Sequence, residues 1–332
     1  MELRYPERIP LALSPTPFHA LERVSQQFGC GHRIWVKRDD QTGSVLSGNK
    51  VRKLEFVAAR ALGDGCDTLI TCGGVQSNHC RATALVGAQL GLQVHLVLRG
   101  EEEQPADGNL LLDHLAGARV SHYRRGEFIA RLDEILEGWR LHYQERGASP
   151  MVIPTGASDG LGIWGYLAAS EEIAADLRTH DIEHAHLVCA TGSGGTQAGL
   201  TLGATLHEAP YTPWGINVCD DEAWFLNKVN ADMQDWAERN HRSLSRDIQV
   251  RVIDGYVGPG YGRAEAEVFE TIATVARLEG LVLDPVYTGK AFHGMLSEIQ
   301  SGRFEGCRDI VFLHTGGVYG VFPMRGEFNF LA

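Results

Sequence analysis

The sequence predicts an α/β protein of two domains, each with a mostly parallel, twisted sheet flanked by helices. Two observations lead to this fold class. Short β-rich runs alternate with helical patterns from residue 47 onwards, as in parallel sheets whose strands are joined by covering helices. The chain also has 332 residues. Because domains commonly span about 100 to 200 residues, two sheets fit this length better than one.

The predicted elements follow one another in chain order. A helix opens the series behind the turn at 47–49, and Leu54, Val57, Ala58 and Leu62 are its apolar residues. Each later strand is a short apolar or β-branched run, and the helices between them carry apolar residues at helical spacing. The predicted strands are 67–72, 93–99, 119–123, 151–155, 184–190, 214–219, 249–254 and the run from 309. The predicted helices are 81–91, 109–118, 127–147, 161–177, 197–209, a long one between 219 and 249, and 263–280.

Composition argues against several classes of function. A formal charge of −12 disfavours nucleic acid as a partner. The N-terminal segment has no basic stretch followed by a long apolar run, so no secretory signal is expected and the predicted location is the cytoplasm. Residues 187–206 are uncharged, but their five glycines and several hydroxyl side chains make them too polar to span a membrane.

The cysteines and the basic residues narrow the chemistry further. Seven cysteines occur without a CxxC pair, which predicts reduced core residues rather than a disulfide framework or a structural zinc site, and no metal is expected. Only five of the thirty basic residues are lysines. One of them, Lys50, stands directly behind a Ser-Gly-Asn turn at the start of a helix. A solvated lysine is the ordinary interpretation, but a reaction that needs an amine has few candidates.

The richest motif is the glycine loop at 192–196, GSGGT, between a predicted strand and a predicted helix. Glycines let backbone amides approach a ligand, and the N-terminus of a helix attracts an anion. The loop matches neither the dinucleotide pattern, because Gln197 stands where a glycine is required, nor the P-loop, which needs a lysine. A single phosphate therefore fits best, with a plain tight turn as the alternative.

A second turn, CGGVQSNHCR at 72–81, also joins a strand to a helix. Ser77 and Asn78 stand where the helix would start and could offer donors to a carboxylate or a ring oxygen, while a simple N-cap role for Ser77 is equally open. His79 lies only two positions from Ser77, so the two side chains would point to different faces of the helix. A Ser-His nucleophilic pair is therefore disfavoured.

Taken together, these segments resemble the D-cysteine desulfhydrase and 1-aminocyclopropane-1-carboxylate (ACC) deaminase family of pyridoxal 5'-phosphate (PLP) enzymes. The resemblance implies fold type II, which is like that of the tryptophan synthase β chain. Each segment alone is modest, but seven of them in family order are highly specific. They are WVKRDD (35–40), SGNKVRKLEF (47–56), CGGVQSNHCR, ATGSGGTQAG (190–199), GPGYG (258–262), LDPVYTGKA (283–291) and FLHTGG (312–317).

The resemblance assigns Lys50 to the family's Schiff-base position, where an amine condenses with the PLP aldehyde and later moves the substrate's α-proton. Burial and nearby positive charge can lower the pKa of a lysine into a useful range, which arginine cannot match. By the same resemblance, the glycine loop would hold the phosphate and Asn78 would bond the ring hydroxyl. The implied cofactor-binding residues are Lys50, Asn78, Gly192, Ser193, Gly194, Gly195, Thr196, Tyr287 and Thr315.

The resemblance also implies how a small amino-acid substrate is bound. Ser77 would take its carboxylate, Tyr261 would face it, and Tyr261 or Tyr287 would assist proton transfer or departure of the leaving group. The implied substrate-binding residues are Ser77, Asn78, His79 and Tyr261, and the implied catalytic residues are Lys50, Ser77, Tyr261 and Tyr287. A homodimer is implied as well, with a small domain at 47–161 inserted into a larger one formed by 1–46 and 162–332.

Two positions bear on the substrate. ACC deaminases carry a glutamate where this chain has Thr288, and they lack the threonine found here at 315. A threonine hydroxyl offers the cofactor ring only a neutral hydrogen bond, and the weaker electron sink suits β-elimination of a good leaving group such as thiolate. D-cysteine is therefore the predicted substrate, giving pyruvate, ammonia and hydrogen sulfide. L-cysteate sulpho-lyase and ACC deaminase activities stay open within the family.

Two other classes of function also stay open. Residues 156–160, GASDG, match the nucleophile elbow of serine hydrolases and would make Ser158 the nucleophile, although no HGGG-like oxyanion segment accompanies the motif. A PLP-binding or amino-acid-binding protein without activity is the second alternative. The joint presence of Lys50, Ser77, Tyr261 and Tyr287 argues against it.

Overall fold

The structure is a computed structural model that describes residues 3–101 and 105–330. Its strands form two sheets, of six and four strands within these ranges. The strands are β1 (Phe18–Ala20), β2 (Arg33–Lys37), β3 (Thr68–Gly74), β4 (Gln93–Arg99), β5 (Arg119–Tyr123), β6 (Pro150–Val152), β7 (Ala185–Thr191), β8 (Tyr211–Asn217), β9 (Val252–Ile253) and β10 (Asp309–Leu313).

The large sheet has the strand order β1-β2-β10-β7-β8-β9, and the small sheet has the order β5-β4-β3-β6. Every neighbouring pair is parallel except β1 with β2. Parallel strands need crossover connections, and helices supply them. The helices are α1 (Glu22–Phe28), α2 (Asn49–Gly63), α3 (Asn78–Leu90), α4 (Gly108–Leu115), α5 (Arg125–Gln144), α6 (Trp164–Thr179), α7 (Gly195–Leu206), α8 (Glu222–Arg239), α9 (Ala266–Glu279) and α10 (Thr288–Gln300).

Helices cover both faces of each sheet, which is why central strands such as β3 and β7 are buried along almost their whole length. On the large sheet, α1, α9 and α10 pack against one face and α6 and α7 against the other. On the small sheet, α2, α3 and α4 cover one face, and α5 covers the other. The predicted α/β fold with two mostly parallel sheets is confirmed.

The small sheet is built from residues 68–152, and the large sheet uses strands from both sides of that stretch in the sequence. This arrangement agrees with an inserted small domain. The division at 46/47 and 161/162 stays a prediction, because α2 and α6, which lie next to those positions, pack against each other.

Individual elements match the prediction unevenly. The strands at 93–99 and 119–123 have the predicted bounds, whereas β8 begins three residues early and includes Pro213, which has no N–H to donate. The strand predicted at 249–254 is only two residues long, and α10 was not among the predicted elements. All seven cysteines are free; Cys72, Cys80 and Cys189 are buried, but Cys30 is exposed, so the prediction of a core residue is wrong there.

No helix in the described ranges is both long and apolar enough to cross a membrane.

A buried ionic network ties α2 to the start of the chain and to α6. The Arg52 guanidinium donates to both Asp39 oxygens at 2.8 Å, and the Tyr166 hydroxyl donates to the same carboxylate at 2.6 Å. Burial alone would raise the pKa of Asp39, but the charge and hydrogen bonds of Arg52 hold it below its usual value. These aspartate contacts are structural, because they tie the turn after β2 to α2 and α6.

Replacing Asp39 with asparagine is expected to lower the free energy of unfolding by about 3 kcal/mol, because a buried cation loses its partner. The pKa of Asp39 is lower in the folded than in the unfolded chain, so this contribution is complete above about pH 5 and is lost as the pH falls below about 4. Urea unfolding at pH 7 and at about pH 3 measures both effects. The matched control is Asp64→Asn, which breaks an exposed pair with Arg60 and should cost less than about 1 kcal/mol. Equal losses in the two variants would contradict the assignment.

Candidate active site

A cavity of about 550 Å³ opens where the carboxyl ends of strands from both sheets converge. Its walls include the end of β3 at Gly74, the end of β4 at Arg99 and the end of β7 at Thr191. The N-termini of α2, α3 and α7 face the same space through Lys50, Asn78 and Thr196. Because ligands of α/β proteins bind at the carboxyl ends of parallel strands, this cavity is the candidate site.

The cavity brings the sequence-predicted residues together. Lining it are Lys50, Ser77, Asn78, His79, Gly192, Ser193, Gly194, Thr196, Tyr261, Tyr287 and Thr315. Gly195 is the exception among the predicted set. A Cβ on Gly195 would lie 2.7 Å from both the Lys53 Nζ and the Ser158 Oγ, so this residue packs on the floor beneath the loop.

Lys50 projects from the first turn of α2, behind a turn that needs glycine. Gly48 has φ +94°, and a Cβ there would lie 2.8 Å from the Thr315 carbonyl oxygen. The Lys50 Nζ donates to the Asn49 Oδ1 at 3.0 Å, and the Asn49 amide donates to the Thr196 hydroxyl at 2.9 Å. This chain of hydrogen bonds joins the lysine to the glycine loop.

Burial lowers the pKa of Lys50 from 10.5 to about 8. The negative charge of Asp284 opposes this shift, and the positive charge of Arg81 adds to it. A lysine of ordinary pKa is almost fully protonated at neutral pH, whereas a pKa near 8 leaves roughly a tenth of the amine uncharged at pH 7. The site therefore prepares an amine that can act as a nucleophile or a base.

The glycine loop leads from β7 into the N-terminus of α7. Gly194 has φ +86°, a conformation that favours glycine, and a Cβ on Gly192 would lie 2.9 Å from the Tyr287 ring. Below the loop, the Ser158 hydroxyl donates to the Ser193 Oγ at 2.8 Å and accepts from the Gly195 amide at 3.2 Å. The loop is thus held from beneath, and its upper surface and the helix N-terminus are open to an anion.

Lys53, one turn after Lys50 on α2, is fully buried under the same loop. Its ammonium donates to the Gly156 carbonyl at 3.0 Å and to the Ser158 hydroxyl at 3.2 Å. Burial, together with the charge of Lys50, holds the pKa of Lys53 well below its usual value. The residue braces the loop from below rather than lining the cavity.

The second predicted turn forms as expected at the N-terminus of α3. The Ser77 Oγ accepts from the Cys80 amide at 3.2 Å, so Ser77 is an N-cap and also lines the cavity. The Asn78 Oδ1 accepts from the Asn109 Nδ2 at 3.0 Å. That bond directs the NH₂ group of Asn78 away from α4, as a donor for a ligand.

His79 turns away from Ser77, as predicted, and is buried. Its Nε2 is 2.8 Å from the Thr71 hydroxyl, while its Nδ1 has no partner among the described residues. Burial and the charges of Lys50 and Lys53 keep the pKa of His79 far below its usual value, so the imidazole is neutral. It borders the cavity, and its predicted contact with substrate stays a prediction.

The two predicted tyrosines meet at their hydroxyl groups. The Tyr261 Oη lies 2.6 Å from the Tyr287 Oη. Burial raises the pKa of Tyr261 to about 12 and raises the pKa of Tyr287 well above its usual value, so both are protonated at neutral pH. The pair is therefore a coupled proton donor on the wall of the cavity.

Two buried charged residues hold the tyrosine loops in place. The Lys290 ammonium donates to the carbonyl oxygens of Val257 at 2.6 Å and Gly260 at 2.9 Å, next to Tyr261. Asp284 accepts from the Tyr287 amide at 3.0 Å and from the Thr288 hydroxyl at 2.7 Å. Lys290 is therefore a structural residue of the Tyr261 loop, and the Thr288 side chain is turned toward Asp284 instead of the cavity.

A family model for pyridoxal-phosphate dependent enzymes matches residues 9–316. The chain belongs to this family of PLP enzymes. The bifunctional D-cysteine desulfhydrase/1-aminocyclopropane-1-carboxylate deaminase of Arabidopsis thaliana is 41% identical over 323 residues, 94% of this chain and 78% of the relative. The D-cysteine desulfhydrase of Klebsiella pneumoniae (strain 342) is 39% identical over 324 residues, 96% of each chain.

A solved structure of an ACC deaminase homologue resembles this PLP enzyme with a TM-score of 0.86 and 36% identity, over 97% of this chain and 95% of the other. The PLP enzyme is therefore a member of the ACC deaminase and D-cysteine desulfhydrase family, as its motifs predict. The predicted cofactor and the prediction of enzymatic activity are confirmed at the level of the family.

The residues of this PLP enzyme suit the cofactor. A partly deprotonated amine at Lys50, a glycine loop at a helix N-terminus, a directed amide at Asn78 and a hydroxyl at Thr315 all line one cavity. In that order, these groups suit the aldehyde, the phosphate, the ring hydroxyl and the ring nitrogen of PLP. The cradle is narrow, because Cβ atoms on Gly192 and Gly194 would approach neighbouring side chains to 3.0 Å or less.

Several residues that support this site were not predicted. Asn109, which directs Asn78, and Lys53, which braces the loop, carry no motif that marks such a role. Arg99 lines the cavity at the end of β4. Its position at the end of the predicted strand 93–99 could have marked it, because the carboxyl ends of neighbouring parallel strands meet at one edge of a sheet.

The serine hydrolase interpretation receives no support from the geometry. The partners of the Ser158 hydroxyl are Lys53, Gly156, Ser193 and Gly195, and no histidine is among its contacts in the described part of the chain. The GASDG motif instead supplies the floor beneath the glycine loop.

Reattachment of the cofactor to protein from which it has been removed should depend on pH. Only the uncharged Lys50 amine can attack the aldehyde, so with a pKa of about 8 the rate should rise about eightfold from pH 6.5 to 7.5 and level off above about 9. The change in cofactor absorbance after mixing measures this rate. A rate that keeps rising to pH 10 would indicate a lysine of ordinary pKa and contradict the assignment.

Proposed function

We propose that the protein is a lyase that removes the β-substituent of a small amino acid, with D-cysteine as its substrate and pyruvate, ammonia and hydrogen sulfide as products. The observation that carries this proposal is the hydroxyl of Thr315 in the cavity, where a stronger electron sink would need a carboxylate. Two carboxylates line the cavity among the described residues, Asp133 on α5 and Asp220 after β8. Neither belongs to the segment after β10 that carries Thr315.

When bound, PLP would supply the electron sink that stabilises negative charge at the substrate's α-carbon. Lys50 would hold the cofactor, and its Nζ would remove the α-proton of the bound substrate. The pKa of about 8 suits this role, because a general base works best when its pKa is near the working pH. Asn49, bonded to both the Lys50 amine and Thr196, keeps the amine near the glycine loop.

The remaining residues orient the substrate and the leaving group. Ser77 and the first amides of α3 receive the α-carboxylate, since a helix N-terminus favours an anion. The Tyr261 and Tyr287 hydroxyl groups, 2.6 Å apart, deliver a proton to the departing sulfur. Asn109 fixes the Asn78 amide, so that its donor is already directed before the cofactor binds.

Relatives of both activities support the family and leave D-cysteine and ACC as the two main candidates. L-cysteate stays a third candidate, and an inactive PLP-binding protein is the alternative from another class. The homodimer, the cytoplasmic location and the domain boundaries at 46/47 and 161/162 are part of the proposal as well.

The deciding experiment is a screen of the purified holoenzyme against D-cysteine, L-cysteine, cysteate, β-chloroalanine and ACC. The products distinguish the reactions, because elimination from the alanine derivatives gives pyruvate, whereas ring opening of ACC gives 2-oxobutanoate. Pyruvate and sulfide from D-cysteine as the best substrate are expected. Faster release of 2-oxobutanoate from ACC, or no product from any compound, would overturn the proposal.

A further inference from the structure

We propose that Arg99 binds the β-substituent of the substrate as it departs with negative charge, and that the site thereby selects amino acids whose β-substituent is an anion or needs assistance to leave as one. This inference rests on the elimination proposed above and names the group that the cavity holds at the far end of the substrate.

Arg99 is the last residue of β4, and the register of the small sheet pairs it with Gly74 at the end of β3. The Tyr261 ring packs against this pair. A Cβ on Gly74 would lie 2.8 Å from the ring, and the Arg99 guanidinium lies over the same ring, 4.6 Å from its centroid. The cation therefore stands beside the coupled tyrosine hydroxyls.

Within the described residues, no hydrogen bond and no ion pair engages the Arg99 guanidinium, and its contacts are the rings of Tyr261 and Phe128. The other cations of the cavity are committed. Lys50 is assigned to the cofactor, and the Lys228 ammonium is paired with Asp232 and donates to the Ser158 carbonyl at 2.9 Å. A half-buried guanidinium on the wall of a cavity, stacked on aromatic rings with its N–H groups unused, is suited to an anionic ligand.

Residues next to the two opposite faces of β3 would contact the two opposite ends of the substrate. Gly73 faces α3, because a Cβ there would lie 2.5 Å from the Ser77 Oγ. Gly74 points to the opposite face, toward Tyr261 and the side of the sheet covered by α5. With the α-carboxylate held at Ser77, the β-substituent extends past the end of β3 to Tyr261 and Arg99.

The chemistry of the elimination places negative charge at that point. The proton on the α-carbon passes to the Lys50 amine, and the electron pair of that bond forms the double bond between the α- and β-carbons. The bond from the β-carbon to sulfur breaks with its electron pair on sulfur. Overall, cysteine and water give pyruvate, ammonium and hydrogen sulfide. A fixed cation near the sulfur stabilises this charge as it develops, and a proton from the tyrosine pair then neutralises it.

The test compares leaving groups in the holoenzyme. Arg99→Gln should lower kcat/KM for cysteine by roughly 10- to 100-fold, the loss expected for one charge-assisted hydrogen bond. For β-chloroalanine, whose chloride departs readily without assistance, the loss should be less than about threefold. Each compound is used as the enantiomer that the unaltered enzyme turns over. Arg99→Lys, which keeps the charge, should recover part of the activity with cysteine.

The matched control is Arg119→Gln. Arg119 lies on the neighbouring strand β5, with its guanidinium 5.7 Å from the centroid of the Trp139 ring, and it does not line the cavity. Arg119→Gln should leave kcat/KM unchanged for both cysteine and β-chloroalanine. An equal loss with cysteine and β-chloroalanine in Arg99→Gln would show that Arg99 only positions Tyr261, and would overturn the inference.

Binding measured on mixing, before any turnover, separates this inference from the proposed function. The dissociation constant of cysteate, whose sulfonate is permanently charged, is compared with that of neutral serine through the absorbance of the bound cofactor. Arg99→Gln should weaken cysteate binding at least about tenfold and leave serine binding nearly unchanged. If Arg99→Gln changes cysteate and serine binding equally, the assignment of Arg99 is overturned even if elimination is observed. A clear difference in a protein that eliminates nothing would overturn the proposed function alone.

Discussion

Replacing Lys50 with alanine is expected to lower turnover by at least about 10³-fold while the chain stays folded. The variant loses both the attachment of the cofactor and the base for the α-proton, and general acid–base catalysis alone contributes about 10² to 10⁴ in rate. The side chain points into a cavity, so its removal leaves the packing of α2 unchanged. Product formation and mass spectrometry after borohydride treatment measure the two losses separately.

Lys50→Arg is the matched control for charge. It keeps a cation at the same point but cannot lose its proton near neutral pH, so it should be as inactive as the alanine variant. A small primary amine added to Lys50→Ala should restore part of the activity, because it supplies the missing base. Substantial turnover by the alanine variant without added amine, or a borohydride-stable adduct at another residue, would show that the role lies elsewhere.

Replacing Gly195 with alanine is expected to weaken cofactor binding by about 10- to 100-fold. The added Cβ would lie 2.7 Å from the Ser158 Oγ and 2.9 Å from the Ser158 Cα, so the glycine loop has to rise from its floor. Overpacking of this kind costs about 1 to 3 kcal/mol, and the proposed phosphate site at the N-terminus of α7 would bear most of the displacement. Titration of cofactor-free protein with PLP, followed by absorbance, measures the dissociation constant.

Gly138→Ala is the control for this substitution. Gly138 lies within α5, and a Cβ there would meet nothing within 4 Å. Alanine should therefore stabilise the helix by up to about 1 kcal/mol and leave the affinity for PLP unchanged. If Gly195→Ala binds PLP as tightly as the unaltered protein, the loop does not hold the phosphate in the proposed way.

Local patterns predicted most of the fold because each one depends on residues close together in the chain. The strand at 93–99 is a short run of apolar residues that occupies one strand of a sheet covered on both faces, and its bounds agree with the structure. The strand predicted at 249–254 failed for the opposite reason. Its residues favour an extended chain, but β9 lies at the edge of the sheet and pairs with β8 only through Val252 and Ile253. Pairing between distant segments decided its length.

The cavity shows the same division between local and distant effects. Lys50, the glycine loop and Ser77 could be found in the sequence because each sits at the junction of a turn and a helix, where a few adjacent residues specify the geometry. Ser158 could not be assigned correctly in this way. Its GASDG segment has the local pattern of a nucleophile elbow, but the contacts that define its role come from Lys53 and Gly195, more than 35 residues away on either side.

By itself the sequence determined the fold class, the family and the positions of the lysine, the glycine loop and the two tyrosines that line the cavity. The tertiary structure alone decided that Asn109 directs Asn78, that the tyrosine hydroxyls meet, and that Arg99 stands beside them. These relations join segments that are distant in the chain, and they follow from the register of β3 with β4 and from the packing of the loops onto that edge. Side-chain periodicity specifies which face of an element is buried, but it does not specify which distant residue is packed against it.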